Sequence, residues 1–321
     1  MKKIRVILGM LMFCIMVSIL RNTWQDGKMA AQRQVVFISP LPWNDAAQGL
    51  EEAARNTDIY IKLTGSRVIH YEKMAEAIQA GVYSAVDGII VAGAVPSEKI
   101  LEALHEAEEN QIPVVLMDND LEGAARISYI GNDNYQAGYL AGEDIRKAMN
   151  DRAQIGVVVS DLAMENQRER MRGFQDAIRE YPGLQIVEVL ECYSDKLLVM
   201  EKVSNFLLDH PEVNALFLAE GCASDVVGEL VDEQRLGEIC IVSFDGAKVL
   251  DYVADGLYYS TLKSKMYEQA LWTVRELEKQ AAGEVTDDRI SIEVWHATRE
   301  NVEEVRQKVV EGTGEFQWQF Y

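Results

Sequence analysis

Six short stretches gather the side chains that can do recognition chemistry: Pro40–Asn44, Gly93–Pro96, Asp118–Asp120, Asp161–Arg168, Glu220–Cys222 and Asp245–Gly246. They hold carboxylates, amides, an arginine and a tryptophan. Carboxylates accept hydroxyl hydrogens, an arginine fork donates to ring oxygens, and an aromatic face covers the apolar side of a sugar ring. The set suits a polyhydroxylated ligand better than a reaction. No G-x-S-x-G, G-x-x-x-x-G-K or G-x-G-x-x-G follows a strand, so nucleophilic or phosphate chemistry has no motif. A glycosidase would need two carboxyls about 5–9.5 Å apart across a scissile bond, which no spacing here specifies. Asp118, Asp120, Glu122 and Gly123 open like a calcium loop, but its twelfth position is Tyr129 rather than a bidentate Glu. His70, His105, His210 and His296 are far apart and show no metal spacing. No cofactor is implied.

Each of the six stretches follows a short apolar run. The runs are Val35–Ser39, Ile59–Leu63, Gly88–Val91, Val114–Asp118, Ile155–Ser160, Leu184–Leu190, Ala215–Ala219 and Cys240–Phe244. Their length and Val/Ile content fit strands buried on both faces. Helix-length amphipathic segments lie between them: Asp45–Asn56, Glu72–Val82, Ser97–Gln111, Gln136–Asn150, Asn166–Tyr181, Lys196–His210, Ser224–Gln234 and Met266–Ala281. The third opens at Ser97 and aligns Ile100, Leu101, Leu104 and Ala107 on one face. Alternating strands and helices predict parallel sheets with right-handed crossovers. Two doubly wound domains dividing near Tyr129–Asn134 accommodate eight such units; a single eight-stranded barrel is the competing topology. In open parallel sheets, ligands bind beyond the carboxyl ends of the strands, where the six stretches stand.

The chain has 321 residues, 48% of them hydrophobic, and a net charge of −21. Residues 1–34 carry six basic side chains against Asp26 alone, a local +5 that leaves −26 on the rest. A body so acidic repels phosphate backbones, which argues against nucleic acid as a partner. Lys2, Lys3 and Arg5 precede the apolar run Val6 to Leu20, the pattern of a secretory signal. No A-x-A-like cleavage site comes promptly after it, and a Phe before Cys14 argues against a lipid-modified cysteine. A retained membrane anchor is therefore favoured over a cleaved signal; both readings export the rest of the chain. Cys14, Cys192, Cys222 and Cys240 lack the spacing of a disulfide framework. The tail Phe316–Tyr321 alternates aromatic and polar residues, as an edge strand or a cover for an apolar patch would.

Several segments resemble the ribose-binding family of type I periplasmic solute-binding proteins. They are Val86–Val91, Ile112–Asp118, Ile130–Gly138, Arg168–Phe174 (RERMRGF), Val242–Gly246 (VSFDG) and Ala297–Val302. The set is ordered as in the family and covers nearly all of residues 35–302. The resemblance implies two Rossmann-like lobes with parallel sheets flanked by helices, joined by a three-crossing hinge, with the ligand cleft between them. After the signal or anchor over 1–33, it implies a first lobe of 34–131 plus 265–290 and a second of 132–264 plus 291–321. The implied ligand residues are Trp43, Asn44, Asp118, Asn119, Arg168, Glu220, Asp245 and Ser264.

Three positions depart from the family pattern: Asp118-Asn119 where Asp-Arg is frequent, Glu220 where an asparagine is usual, and Lys263-Ser264-Lys265 near the last hinge. Losing a guanidinium while gaining an acid and nearby lysines points to a ligand other than ribose: another sugar, a polyol, or a molecule bearing an amine. The resemblance thus implies a non-catalytic, monomeric extracytoplasmic binder that presents its closed form to an ABC permease or a sensor histidine kinase. A ligand-responsive transcriptional regulator shares this core but needs an N-terminal helix-turn-helix where residues 1–34 read as an export segment. A carbohydrate-processing enzyme is the remaining alternative.

Overall fold

The computed structural model describes residues 32–230, 238–309, 312 and 314–321. The expected export segment over 1–33 lies almost wholly outside them. Among the described residues no helix is long and apolar enough to cross a membrane.

Strand β1 (Arg33–Ile38) leads into α1 (Asn44–Ala54). The step repeats through β2 (Ile59–Gly65), α2 (Tyr71–Tyr83), β3 (Gly88–Ala92), α3 (Glu98–Glu109), β4 (Val114–Met117) and β5 (Ser128–Asn132). The chain then builds a second body from α4 (Asn134–Ala148), β6 (Ala153–Val159), α5 (Glu165–Ile178), β7 (Leu184–Glu191) and α6 (Lys196–Asp209). It continues with β8 (Ala215–Leu218), α7 (Gly221–Leu230), β9 (Cys240–Phe244), α8 (Val249–Ala254) and β10 (Ser260–Lys263). It returns to the first body for α9 (Met266–Ala281) and β11 (Arg289–Ile292). It crosses again for β12 (Trp295–Thr298) and α10 (Val302–Lys308), and ends in β13 (Gln319–Phe320).

The strands form two open sheets, ordered β11-β5-β4-β3-β1-β2-β13 and β12-β10-β9-β8-β6-β7, which excludes the single barrel. Among the described residues every pairing is parallel except β10 with β12. The central strands β3, β4 and β8 are buried along their whole length, as their unbroken apolar runs require. Each sheet has an apolar cluster on either side, so each lobe owns a core. Ser97 caps α3 by accepting from the Ile100 amide at 3.3 Å. Its buried face is Ile100, Ala103, Leu104 and Ala107; Leu101 is only half-buried, so Ala103 takes the place assigned to it.

The last residues lie elsewhere than the family resemblance places them. It assigns residues 291–321 to the second lobe, and α10 does pack on α8 and β12. Residues 316–321 instead cover the first sheet, with β13 parallel to β2. Trp318 packs on Phe37 with ring centroids 6.0 Å apart and donates from Nε1 to Asn44 Oδ1 at 3.1 Å. The Tyr321 hydroxyl donates to the Ser39 carbonyl at 2.9 Å. An exposed strand edge and an uncovered Phe37 give an alternating aromatic segment two reasons to settle there. The lobes are therefore joined by a fourth passage of chain besides the three near residues 133, 264 and 293.

Candidate functional site

Strand order reverses between β1 and β3 in the first sheet and between β6 and β8 in the second. Open α/β sheets leave a crevice at such points, outside the carboxyl ends of the strands. Here the two crevices face one another and enclose a cleft of about 280 Å³. Pro40, Trp43, Gly93 and Asp118 line it from the first lobe, and Asn166, Arg170, Glu220 and Asp245 from the second. A wider recess of about 620 Å³ on the hinge side shares Trp43, Asp45 and Asp245 with it.

The two strand-end aspartates leave their sheets in the left-handed region, with φ of 70° at Asp118 and 57° at Asp245. A non-glycine residue held there costs free energy, and such positions gather at ligand sites. Burial raises the Asp118 carboxyl to about 6; Arg170 opposes that rise and Asp245 adds to it. Asp245 accepts Lys263 Nζ at 2.5 Å, and Lys263 also donates to the Gly246 carbonyl at 2.8 Å. Burial pulls the Lys263 ammonium down, but Asp245, with Asp45 and Asp225, leaves the group raised. Asp45, in the first turn of α1, is raised by burial and by Asp245. Glu220 caps α7, accepting from the amides of Cys222 at 2.9 Å and Ala223 at 2.7 Å and from Ser194 Oγ at 3.2 Å. Burial still leaves it raised.

Arg170 is the cation that faces these acids. It is 2% exposed, donates from Nε to Asn134 Oδ1 at 2.8 Å and from Nη1 to the Ala219 carbonyl, and lies 3.7 Å from the Phe244 ring centroid. Burial lowers its pKa, while Asp118, Asp245 and Glu220 hold it up. Trp43 closes the other side. A Cβ on Gly93 would stand 2.5 Å from the Trp43 ring, and Gly93 has φ of +60°, so this position requires glycine twice over. The lobes touch across the cleft: Asn166 donates from its backbone N–H to Asn119 Oδ1 at 3.1 Å and from Nδ2 to Asp118 Oδ2 at 3.3 Å. Arg289 of β11 reaches Glu165 of α5 at 3.1 Å.

Of the eight residues singled out in the sequence, Trp43, Asp118, Glu220 and Asp245 line the cleft. Asn44 and Ser264 border the wider recess instead. Asn44 holds the tail through Trp318, and Ser264 is bound into a buried hinge network with Asn132 Nδ2 at 3.1 Å and Gln269 Nε2 at 3.3 Å. Asn119 is fully buried; its Nδ2 donates to the Ala94 carbonyl at 2.6 Å, so it braces the strand end. Arg168 is exposed and donates back to the carbonyls of Leu162 and Ala163. Two helical residues rotate the side chain by about 200°, which puts Arg170 and not Arg168 in the cleft. The signal was present: Asn166, Arg170 and Phe174 recur every fourth residue, so Arg170 shares the face of the buried Phe174. Asp45, Asn166 and Tyr71 also line the cleft, and the sequence did not single them out as ligand residues. Among the described residues no cluster of His, Cys, Asp and Glu could hold a metal ion.

Fold and site together define a two-lobed α/β protein whose cleft lies between paired switch points. Residues 37–284 match the periplasmic binding protein domain family, and the chain belongs to it. It is 21% identical over 210 residues to a D-apiose import binding protein of Paraburkholderia graminis, covering 65% of this chain and 66% of that one. It is 26% identical over 160 residues to the ribose import binding protein of Escherichia coli, covering 49% and 53%. The chain thus spans about half to two thirds of the length of these curated relatives. Among solved structures, it matches a glucose-galactose binding protein from Geobacillus stearothermophilus with a TM-score of 0.79 and 24% identity, covering 84% of this chain and 98% of that one. A solute-binding protein from Agrobacterium vitis bound to α-D-tagatopyranose gives 0.82 at 18%, covering 87% and 100%. A chain of the XylFII–LytSN complex gives 0.76 at 24%, covering 84% and 98%. At these identities the structural matches establish the fold.

Proposed function

We propose that this chain is a non-catalytic, extracytoplasmic binder of a small carbohydrate. The observation that carries the reading is the pair of strand-end carboxylates, Asp118 and Asp245, set in one cleft with buried Arg170 and the face of Trp43. Carboxylates take hydroxyl hydrogens, the guanidinium donates, and the indole covers apolar ring hydrogens. With each lobe supplying part of that shell, ligand favours the closed arrangement by its differential affinity for it. The first lobe would comprise residues 34–131 with 265–292 and the tail, the second 132–264 with 293–309. Residues 1–33 would export the chain and tether it as an anchor. The closed form is then read by a membrane partner. An ABC importer is supported by the apiose and ribose import relatives; a sensor kinase is the second partner that the family resemblance leaves open. A thermal-shift screen of the purified protein against monosaccharides and polyols tests the reading, because a ligand of the folded state stabilises by mass action. At least one of these compounds is expected to raise Tm by several degrees; none doing so at millimolar concentration would refute carbohydrate binding.

A further inference from the structure

We propose that the ligand of the cleft carries an ammonium group, as an amino sugar does, seated between Asp118 of the first lobe and Asn166 of the second. The inference rests on the carbohydrate reading above and narrows it.

The cleft is lined by four carboxylates, Asp45, Asp118, Glu220 and Asp245, and one cation, Arg170; the hinge-side recess adds Asp225 and Glu268 with Lys263, Lys265 and Lys308. Lys263 is held by Asp245 and the Gly246 carbonyl. Arg170 hydrogen-bonds neutral groups, Asn134 Oδ1 and the Ala219 carbonyl, and lies on the Phe244 face, so its single charge is shared among Asp118, Asp245 and Glu220. Glu220 is satisfied as a helix cap by two amides and a hydroxyl. Asp45 and Asp118 remain, and neither forms an ion pair among the described residues. Asp45 accepts the amide of Ala46 at 2.9 Å, and Asp118 accepts only the long 3.3 Å bond from Asn166 Nδ2 at its carboxyl.

A second observation concerns Asn166 itself. It is 2% exposed and lines the cleft, and its Oδ1 is buried with no hydrogen-bond partner. Its amide orientation is fixed, since Nδ2 is the atom turned to Asp118. The capacity left over at this point is acceptor on both lobes: one neutral oxygen and one carboxylate, joined by a weak bond. A sugar hydroxyl brings a single donor and two lone pairs of its own. An ammonium brings three donors, no lone pair and the missing charge. Desolvation works against the two unpaired carboxylates as they stand, and a ligand cation reverses that penalty. The nearby indole of Trp43 adds a surface that attracts cations.

Titration calorimetry at pH 7 with matched sets tests this: D-glucose, D-glucosamine and N-acetyl-D-glucosamine, and the three galactose counterparts, with D-ribose and D-apiose alongside. The expected result is an amino sugar binding at least tenfold more tightly than its neutral parent and its N-acetyl form. Asp118→Asn, which keeps the shape and removes the charge, should erase that preference. If Asp118→Asn folds poorly, the comparison within each set on the wild-type protein stands alone. Neutral sugars binding as tightly as their amino counterparts, or more tightly, would overturn the inference and leave the carbohydrate reading in place. Binding of no sugar in the set would overturn both.

Discussion

Arg168 and Arg170 sit two residues apart on one helix and have opposite surroundings, one exposed and the other 2% exposed among carboxylates. Arg168→Ala is expected to change unfolding free energy by less than about 0.5 kcal/mol, as surface substitutions do. Arg170→Ala leaves Asn134 Oδ1 and the Ala219 carbonyl unpaired beside three acids and should cost about 3–5 kcal/mol, measured by urea unfolding. Asp118 makes a prediction about pH. Its folded pKa, about 6, lies above the ordinary 3.8, so ionising it opposes folding. The penalty is absent below the ordinary value, grows as pH rises toward 6 and is complete above it. The groups facing it are Arg170, Asp245 and Asn166, with the Tyr129 hydroxyl on its backbone carbonyl. Relative to wild type, Asp118→Asn should gain stability steadily from pH 4 to pH 7, by up to about 3 kcal/mol at pH 7. A difference independent of pH would show that the Asp118 carboxyl is not desolvated.

At the scale of elements, the cleft depends on how closely α4 and α5 approach. A Cβ on Gly138 would stand 1.8 Å from the Arg170 carbonyl, and one on Gly173 2.0 Å from the Tyr135 carbonyl. These are backbone atoms that cannot step aside, and they fix where Arg170 projects. Gly173→Ala should therefore destabilise by about 1–3 kcal/mol. It should also weaken ligand binding without touching ligand; unchanged stability by denaturant unfolding would mean that the helices have slack. This level of the molecule was unevenly legible in the sequence. Unbroken runs such as Gly88–Val91 and Ala215–Ala219 declare the fully buried strands β3 and β8, because both faces are apolar. Strands β10 to β12 are four residues each and largely polar or half-exposed, so no run marks them. Strand ends were legible because ligands of open parallel sheets bind beyond the strands' carboxyl ends, and Trp43, Asp118, Glu220 and Asp245 there do line the cleft. The roles of Asn119, Asn166 and Ser264 were not, because they depend on which lobe faces which across a hinge.

The whole molecule is two sheets, four chain passages and a cleft whose walls belong to different lobes. Closure brings like charges together in a body carrying −26, so specific contacts must hold it. Arg289 is one: it bridges Asp120 of its own lobe at 2.6 Å and Glu165 of the other at 3.1 Å. Arg289→Ala should shift the unliganded protein toward open forms, seen as a larger radius of gyration by small-angle scattering; an unchanged radius would assign closure to other contacts. The tail adds a second tie between the lobes, since β13 and Trp318 bind the chain beyond the second lobe's last helix back to the first sheet. The central claim is that a small carbohydrate is held between the lobes by Arg170 and the strand-end aspartates. Titration calorimetry of the purified protein with the best monosaccharide from the screen, repeated on Arg170→Ala and Arg168→Ala, tests it most directly. One ligand per chain is expected, with affinity lost at least tenfold in Arg170→Ala, at least about 1.4 kcal/mol, and retained in Arg168→Ala. Binding that survives Arg170→Ala unchanged, or is lost instead in Arg168→Ala, would contradict the account.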